Sequence, residues 1–121
     1  SGSALMADID RFRQIVLHIR KATALPFTVK IRAGFKEVNA VEVAQMLQDC
    51  GVDAIAIHPR LQTEFFEGRP RYEVAAAVKK AVTIPVIISG GVVNIKTASM
   101  VYEQTGVDGF LIGRGIWAKP W

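Results

Sequence analysis

An internal repeat constrains this chain more than any other feature. Lys21 to Ile57 and Lys80 to Ile112 read as two copies of one unit. Leu25-Pro-Phe-Thr-Val-Lys-Ile31 aligns with Ile84-Pro-Val-Ile-Ile-Ser-Gly90, and Cys50-Gly-Val-Asp-Ala-Ile-Ala-Ile57 with Thr105-Gly-Val-Asp-Gly-Phe-Leu-Ile112. Each copy runs strand, helix, Gly-Val-Asp turn, strand. A repeated βαβ unit sets its strands parallel, with right-handed crossovers.

Helical spacing fills the gaps between the strands. Asp8 caps a first helix with Ile9, Phe12, Val16 and Ile19 on one face. Asn39 caps a second, with Val43, Ala44 and Leu47 inward and Gly51 closing it. A third, Tyr72 to Ala81, carries Val74, Ala77, Val78 and Ala81. Asn94 caps a fourth, with Ala98, Val101 and Tyr102 inward and Gly106 closing it, and the final Gly113 to Trp121 begins another helix. Four strands and four helices in this order are half of an eight-fold (β/α) barrel, strands 5–8, where a whole barrel takes about 250 residues. The expected fold is α/β, with residues 1–121 a single partial domain of a larger enzyme. A self-contained flavodoxin-like sheet is the rival, but it opens on a strand and uses a fifth.

Two strand-ends point to a ligand. Pro85-Val-Ile-Ile-Ser-Gly-Gly91 and Gly109-Phe-Leu-Ile-Gly-Arg-Gly115 are apolar runs that stop in glycines. Apolar runs of this kind suit strands buried on both faces. Glycines at their carboxyl ends let backbone N–H groups approach an anion closely. With Arg114 beside the second, the pair predicts a phosphate held between neighbouring strands, where barrels commonly bind it. Tight turns in a repeat would explain one such pair, but two plus an arginine are harder to dismiss. Neither matches a Rossmann fingerprint or a P-loop.

Charged residues end the first two strands. Lys30 and Arg32 share a strand face, since the side-chain period is two. His58 and Arg60 repeat the arrangement one strand later, placing His58 at the level of Lys30. The plain alternative is that Lys30 and Arg32 reach solvent and pair with carboxylates such as Glu37. The loop Leu61 to Tyr72, with Phe65, Phe66, Gly68, Arg69 and Arg71, is polar-aromatic and suits a ligand cover, a contact with RNA or a solvated loop with a hydrophobic anchor.

Composition narrows the field further. Half of the 121 residues are hydrophobic, which fits a compact core and argues against disorder. No apolar run approaches the roughly 20 residues that span a bilayer, and nothing reads as a signal peptide. Cys50 is the only cysteine, so no internal disulfide forms, and a cytoplasmic location is expected. Two histidines with no ligand spacing exclude a recognisable metal motif. A net charge of +4 suits a phosphate ligand or RNA only weakly. Cys50, at a helix carboxyl end, reads as a small boundary hydrophobe, and His18 as a surface residue.

Taken together, these motifs resemble the second half of the catalytic barrel of the tRNA-dihydrouridine synthases. The resemblance rests on Gly2-Ser-Ala-Leu-Met6, Val29-Lys-Ile-Arg-Ala-Gly34, Ile57-His-Pro-Arg60, Phe66-Glu-Gly68, Pro85 to Gly91, and Gly106-Val-Asp-Gly-Phe-Leu-Ile-Gly-Arg114. It implies FMN as cofactor, NADPH as electron donor, tRNA as partner and reduction of uridine to 5,6-dihydrouridine. It also implies that Lys30 and His58 contact the flavin, with Lys30 at the pyrimidine edge of its ring. Ser89, Gly90, Gly91, Gly113 and Arg114 would hold the cofactor's phosphate end, with Arg32 and Arg60 toward the substrate.

The chain departs from the family at Ser89, where asparagine is usual, and at Pro59-Arg60-Leu61, where Gly-Arg-Thr is usual. No Asn-x-Gly-Cys-Pro motif, which carries the family's general acid, occurs in these residues. No catalytic residue is therefore assigned, and the chain alone is expected to be inactive. Two alternatives stand beside this reading. One is another FMN- or phosphate-binding barrel such as a dihydroorotate dehydrogenase relative. The other is a non-catalytic half-barrel that self-associates. Exposed strand edges predict a homo-oligomer in either case.

Overall fold

The computed structural model describes residues 2–64, 69–90 and 95–112. A short 3-10 turn, Gly2–Ala7, leads into α1 (Ile9–Ala22). Then follow β1 (Thr28–Gly34), α2 (Ala40–Asp49), β2 (Ala54–Leu61), α3 (Tyr72–Ala81), β3 (Val86–Ser89), α4 (Ile95–Thr105) and β4 (Gly109–Leu111). The helix expected after Gly113 and the Asn94 cap lie outside the described residues.

The strands form one parallel sheet in the order β1-β2-β3-β4. A doubly wound sheet reverses its strand order at a switch point; this one does not, which sets the flavodoxin-like alternative aside. All four helices cover the same face. Phe12 and Val16, Val43 and Leu47, Ala75 and Val78, and Val101 join Ile31, Ile55, Ile57, Val86 and Ile88 in one buried cluster. Each fully buried aliphatic side chain there contributes about 1.5–3 kcal/mol relative to exposure. The helix faces are narrower than their periodicity suggests: Tyr102 is 58% exposed, and Ile19 and Ala77 are exposed too. The described elements bury only one stripe of each helix.

The caps follow the sequence in part. Asp8 accepts the Arg11 N–H at 3.2 Å as an N-cap should. Asn39 occupies the N-cap of α2, but its side chain makes no capping bond. Its Nδ2 donates instead to the Met6 carbonyl at 2.7 Å, tying the 3-10 turn to the start of α2. Gly51 ends α2 in a left-handed conformation, φ 92°. Val52 N–H reaches back to the Leu47 carbonyl and Gly51 N–H to Gln48, the paired bonds of a Schellman ending.

The repeated Gly-Val-Asp has a definite structural role. Asp53 N–H donates to the Phe27 carbonyl at 2.8 Å while its carboxylate accepts Phe27 N–H at 2.7 Å. Asp108 clasps Val86 in the same two bonds, both 2.8 Å. Each aspartate thus pins the start of the strand before its own. A cation from the last turn of the preceding helix completes each clasp: Arg20 to Asp53 at 3.1 Å and Lys79 to Asp108 at 2.6 Å. Arg20 also binds the Thr23, Leu25 and Gly51 carbonyls, closing the turn between α1 and β1.

These contacts give an acid-sensitive fold. The Phe27 N–H and then Arg20 hold the Asp53 carboxyl below its usual range. Lys79 and then the Val86 N–H do the same for Asp108. A folded-state pKa below the unfolded value stabilises above that value, about pH 4, and is lost as pH falls through the folded value. The melting temperature should therefore drop below about pH 4, and the Asp53→Asn, Asp108→Asn double variant should lose much of that acid limb. An identical acid limb in the double variant would separate these carboxylates from the pH response.

Candidate functional site

The sheet face turned away from the helices carries the polar residues, and strand register arranges them in rows. Lys30 pairs with Ala56, Ala56 with Ile87, and Ile87 with Gly109. One step toward the carboxyl ends, Arg32 pairs with His58, and Ser89 pairs with Leu111. Ser89 follows Ile88, the partner of Ile57, so it stands beside His58. His58 is therefore level with Arg32, not with Lys30 as the sequence spacing predicts. The two strands begin their pairing at Thr28 and Ala54, and counting from charged residue to charged residue misses that offset.

Beyond this second row the β1–β2 register slips, and Gly34 pairs with Leu61. Pro59 lies in the slip; it has no N–H for the ladder, and prolines within sheets are confined to such irregularities or edges. Bulges re-aim neighbouring side chains, and Arg60 turns back along the strand. Its Nη1 comes 3.5 Å from His58 Nε2, with His58 only 6% and Arg60 8% exposed. Gly90, at φ 82°, lies against the Cδ2–Nε2 edge of the imidazole. A Cβ there would sit 2.8 Å from His58 Cδ2, so this position excludes side chains both by conformation and by contact.

Buried polar atoms on this face that have no hydrogen-bond partner among the described residues include Arg32 Nη1 and Ser89 Oγ. Buried polar atoms are normally paired, and a polar ligand fits such a face. Lys30 is exposed, and neither it nor Arg32 forms an ion pair with Glu37. Lys30 thus reaches solvent, while the expected pairing with Glu37 is absent among the described residues.

The chain after β2 is tied down by a carboxylate that sequence reasoning missed. Glu64 accepts Leu61 N–H at 2.9 Å and two bonds from Arg71, at 3.2 and 3.0 Å. Arg71 N–H in turn donates to the Pro59 carbonyl at 2.6 Å. The Leu61 N–H first, and then Arg71, hold the Glu64 carboxyl low, with Arg60 close enough to add to the effect. Burial raises the Tyr72 hydroxyl pKa, and Arg60 opposes it. No local spacing announces this cluster, because Glu64 and Arg71 are seven residues apart across a loop. Nearby, a cavity of about 530 Å³ at the carboxyl end of β1 is lined by Met6, Phe35, Lys36, Glu37, Asn39 and Glu42.

The structure thus brings Lys30, Arg32, His58, Arg60, Ser89 and Gly90 to one end of one sheet face. Gly91, Gly113 and Arg114, together with Phe65, Phe66 and Gly68, lie outside the described residues. Cys50 is buried at the end of α2, 3.9 Å from the Met46 sulfur, and burial raises its thiol pKa. That matches a packed boundary residue. His18 is exposed on α1. Among the described residues no His/Cys/Asp/Glu group could hold a metal ion, and no helix is long and apolar enough to cross a membrane.

Comparison with known proteins gives a consistent answer. The chain is 38% identical over 123 aligned residues to tRNA-dihydrouridine synthase B of Salmonella typhimurium. It is 39% identical to the protein of that name from Pseudomonas aeruginosa and 37% to that from Yersinia pestis. The alignments cover 100% of this chain but only 37–38% of each relative, so the chain spans little more than a third of their length. Among solved structures it resembles nitroalkane oxidase from Streptomyces ansochromogenes, with a TM-score of 0.52 at 19% identity. That likeness covers 86% of this chain and 31% of the other and concerns the fold alone. The profile of the dihydrouridine synthase (Dus) family matches residues 1–121, and this chain therefore belongs to the dihydrouridine synthase family.

Proposed function

We propose that this chain is the carboxyl-terminal half of a (β/α)8 barrel that holds one side of an FMN site in a tRNA-dihydrouridine synthase. The parent enzyme reduces uridine in tRNA to 5,6-dihydrouridine with electrons from NADPH. The observation that carries the reading is the unpaired Arg32 Nη1 and Ser89 Oγ on the same sheet face as Lys30 and His58, in a chain of this family.

Bound flavin supplies the hydride for the C5–C6 double bond. The chain's own residues bind and orient. Lys30, exposed in the first row, offers a cation to an electron-rich ring edge, the kind of tuning a protein gives a cofactor. Ala56 and Gly109, small residues in that row, leave room beside it. Ser89 and Gly90, followed in sequence by Gly91, take the phosphate end with Gly113 and Arg114. Arg32, one row further toward the carboxyl ends, is the residue that serves the substrate. A cytoplasmic location suits tRNA as substrate.

FMN titrated into the purified chain should shift its visible absorbance and quench its fluorescence. Arg114→Ala should weaken binding on the order of tenfold or more, since a hydrogen bond to a charged group is worth about 1.5–3 kcal/mol. No spectral change with the wild-type chain would count against a flavin site in this half. Equal affinity in the variant would remove Arg114 from it.

A further inference from the structure

We infer that the outer flanks of α1 and α4 form a head-to-tail seam between copies of this chain. The helices pack in a row, α1 on α2, α2 on α3 and α3 on α4. Among the described residues, the large apolar side chains that these helices leave exposed all lie on the two outermost. They are Ile15, Leu17 and Ile19 on α1, and Ile95, Met100 and Tyr102 on α4; α2 and α3 carry none. Single exposed apolar residues are ordinary, but confinement to the two ends of a row marks those ends as contact surfaces.

Helix geometry, about 100° per residue, gives the direction of these side chains. In α1, Phe12 and Val16 face the sheet, and Arg20 stands on the flank toward α2, where it reaches the Gly51 carbonyl and Asp53. Ile15 and Ile19 fall on the opposite flank. In α4, Val101 and Thr105 face inward. The four helices run the same way over one face of a parallel sheet. Turning in the sense that leads from Phe12 to Arg20 in α1 therefore leads from Val101 to Tyr102 and Ile95 in α4, the flank away from α3. Each apolar flank lies on the same side of the molecule as an open strand edge, that of β1 or of β4. A second copy fits both at once. Its α1 meets α4 as α4 meets α3, and its β1 meets β4 as β4 meets β3. Four strands are half of an eight-stranded ring, so two such seams close it, as a head-to-tail contact does when its rotation closes.

Disulfide trapping tests the seam, in a Cys50→Ala background that removes the one native thiol. Chains carrying Ile19→Cys and chains carrying Tyr102→Cys, equilibrated together and mildly oxidised, should yield a covalent dimer. Neither should do so when oxidised alone. A dimer from either variant alone, or none from the mixture, overturns the inference. Sedimentation gives a second reading. Ile19→Lys and Tyr102→Lys should each raise the dissociation constant on the order of tenfold or more, since a lysine in the seam is a buried unpaired charge. Met100→Lys, off the outer flank of α4, should leave it unchanged. Circular dichroism should show all three folded, because the three positions are exposed in the single chain. Unchanged association in both flank variants overturns the seam. So does a monomeric wild type, which would mean that the flanks are covered within one chain. Neither measurement reads a cofactor, so failure here is distinguishable from failure of the flavin site.

Discussion

Supplied with FMN, NADPH and tRNA, the purified 121-residue chain should form no detectable dihydrouridine, while a full-length family member does so under the same conditions. Protonating a reduced pyrimidine needs a donor within hydrogen-bond reach of the carbon, and a positioned acid contributes about 10²–10⁴ in rate. The only thiol here is Cys50. It lies at the end of α2, just before β2 begins, whereas Arg32 and His58 stand further toward the carboxyl ends of their strands. It is buried, and burial raises its pKa. Liquid chromatography of nuclease-digested tRNA measures the product. Turnover near that of the full-length enzyme would mean that another residue of this chain donates the proton.

The same chain should sediment as a dimer or larger species at low micromolar concentration. Among the described residues β1 pairs only with β2, and β4 only with β3, so each presents one outer edge. Such edges recruit further strands. Of the residues exposed on the face opposite the helices, Leu111 is the apolar one, at 49% exposure on the β4 edge. A second copy is a suitable occupant because the β1–α2–β2 and β3–α4–β4 units already join through β2 and β3 in parallel register. Pairing β4 of one copy with β1 of the next repeats that junction, and doing so twice closes an eight-stranded ring with two-fold symmetry. A compact monomer at tens of micromolar would mean that both edges are already covered within one chain.

Much of the fold was legible because it depends on repetition. The Gly-Val-Asp copies, the apolar strand runs and the glycine helix ends each state a local rule, and the rules agree on parallel βαβ units. The site was legible only along each strand. Lys30 with Arg32, and His58 with Arg60, share faces as the period-two pattern requires, but which residue stands opposite which depends on where pairing starts. That is a property of two strands at once. Pro59 could have warned that Arg60 would leave its regular position, and the structure shows the resulting slip after His58. Glu64 and Arg71 had no signal of their own, since their meeting depends on the path of the loop between them. Tyr102 followed the helical period yet lies exposed, because periodicity identifies a stripe and not what is packed against it.

The aspartate clasps carry a consequence for the order in which this chain folds. Asp53 is 26 residues from Phe27 and Asp108 is 22 from Val86, so each clasp closes a loop of one βαβ length. Loop-closure entropy grows only slowly at this length, and a closed clasp fixes the start of one strand against the turn that launches the next. Each half can thus organise around its own aspartate before the halves meet along β2 and β3. The clasps keep the closing contacts of each half within one strand and one helix, shorter than the separation between the two halves. The repeat therefore divides a parallel sheet, usually slow to assemble, into two pieces whose closing contacts each stay within one strand–helix unit.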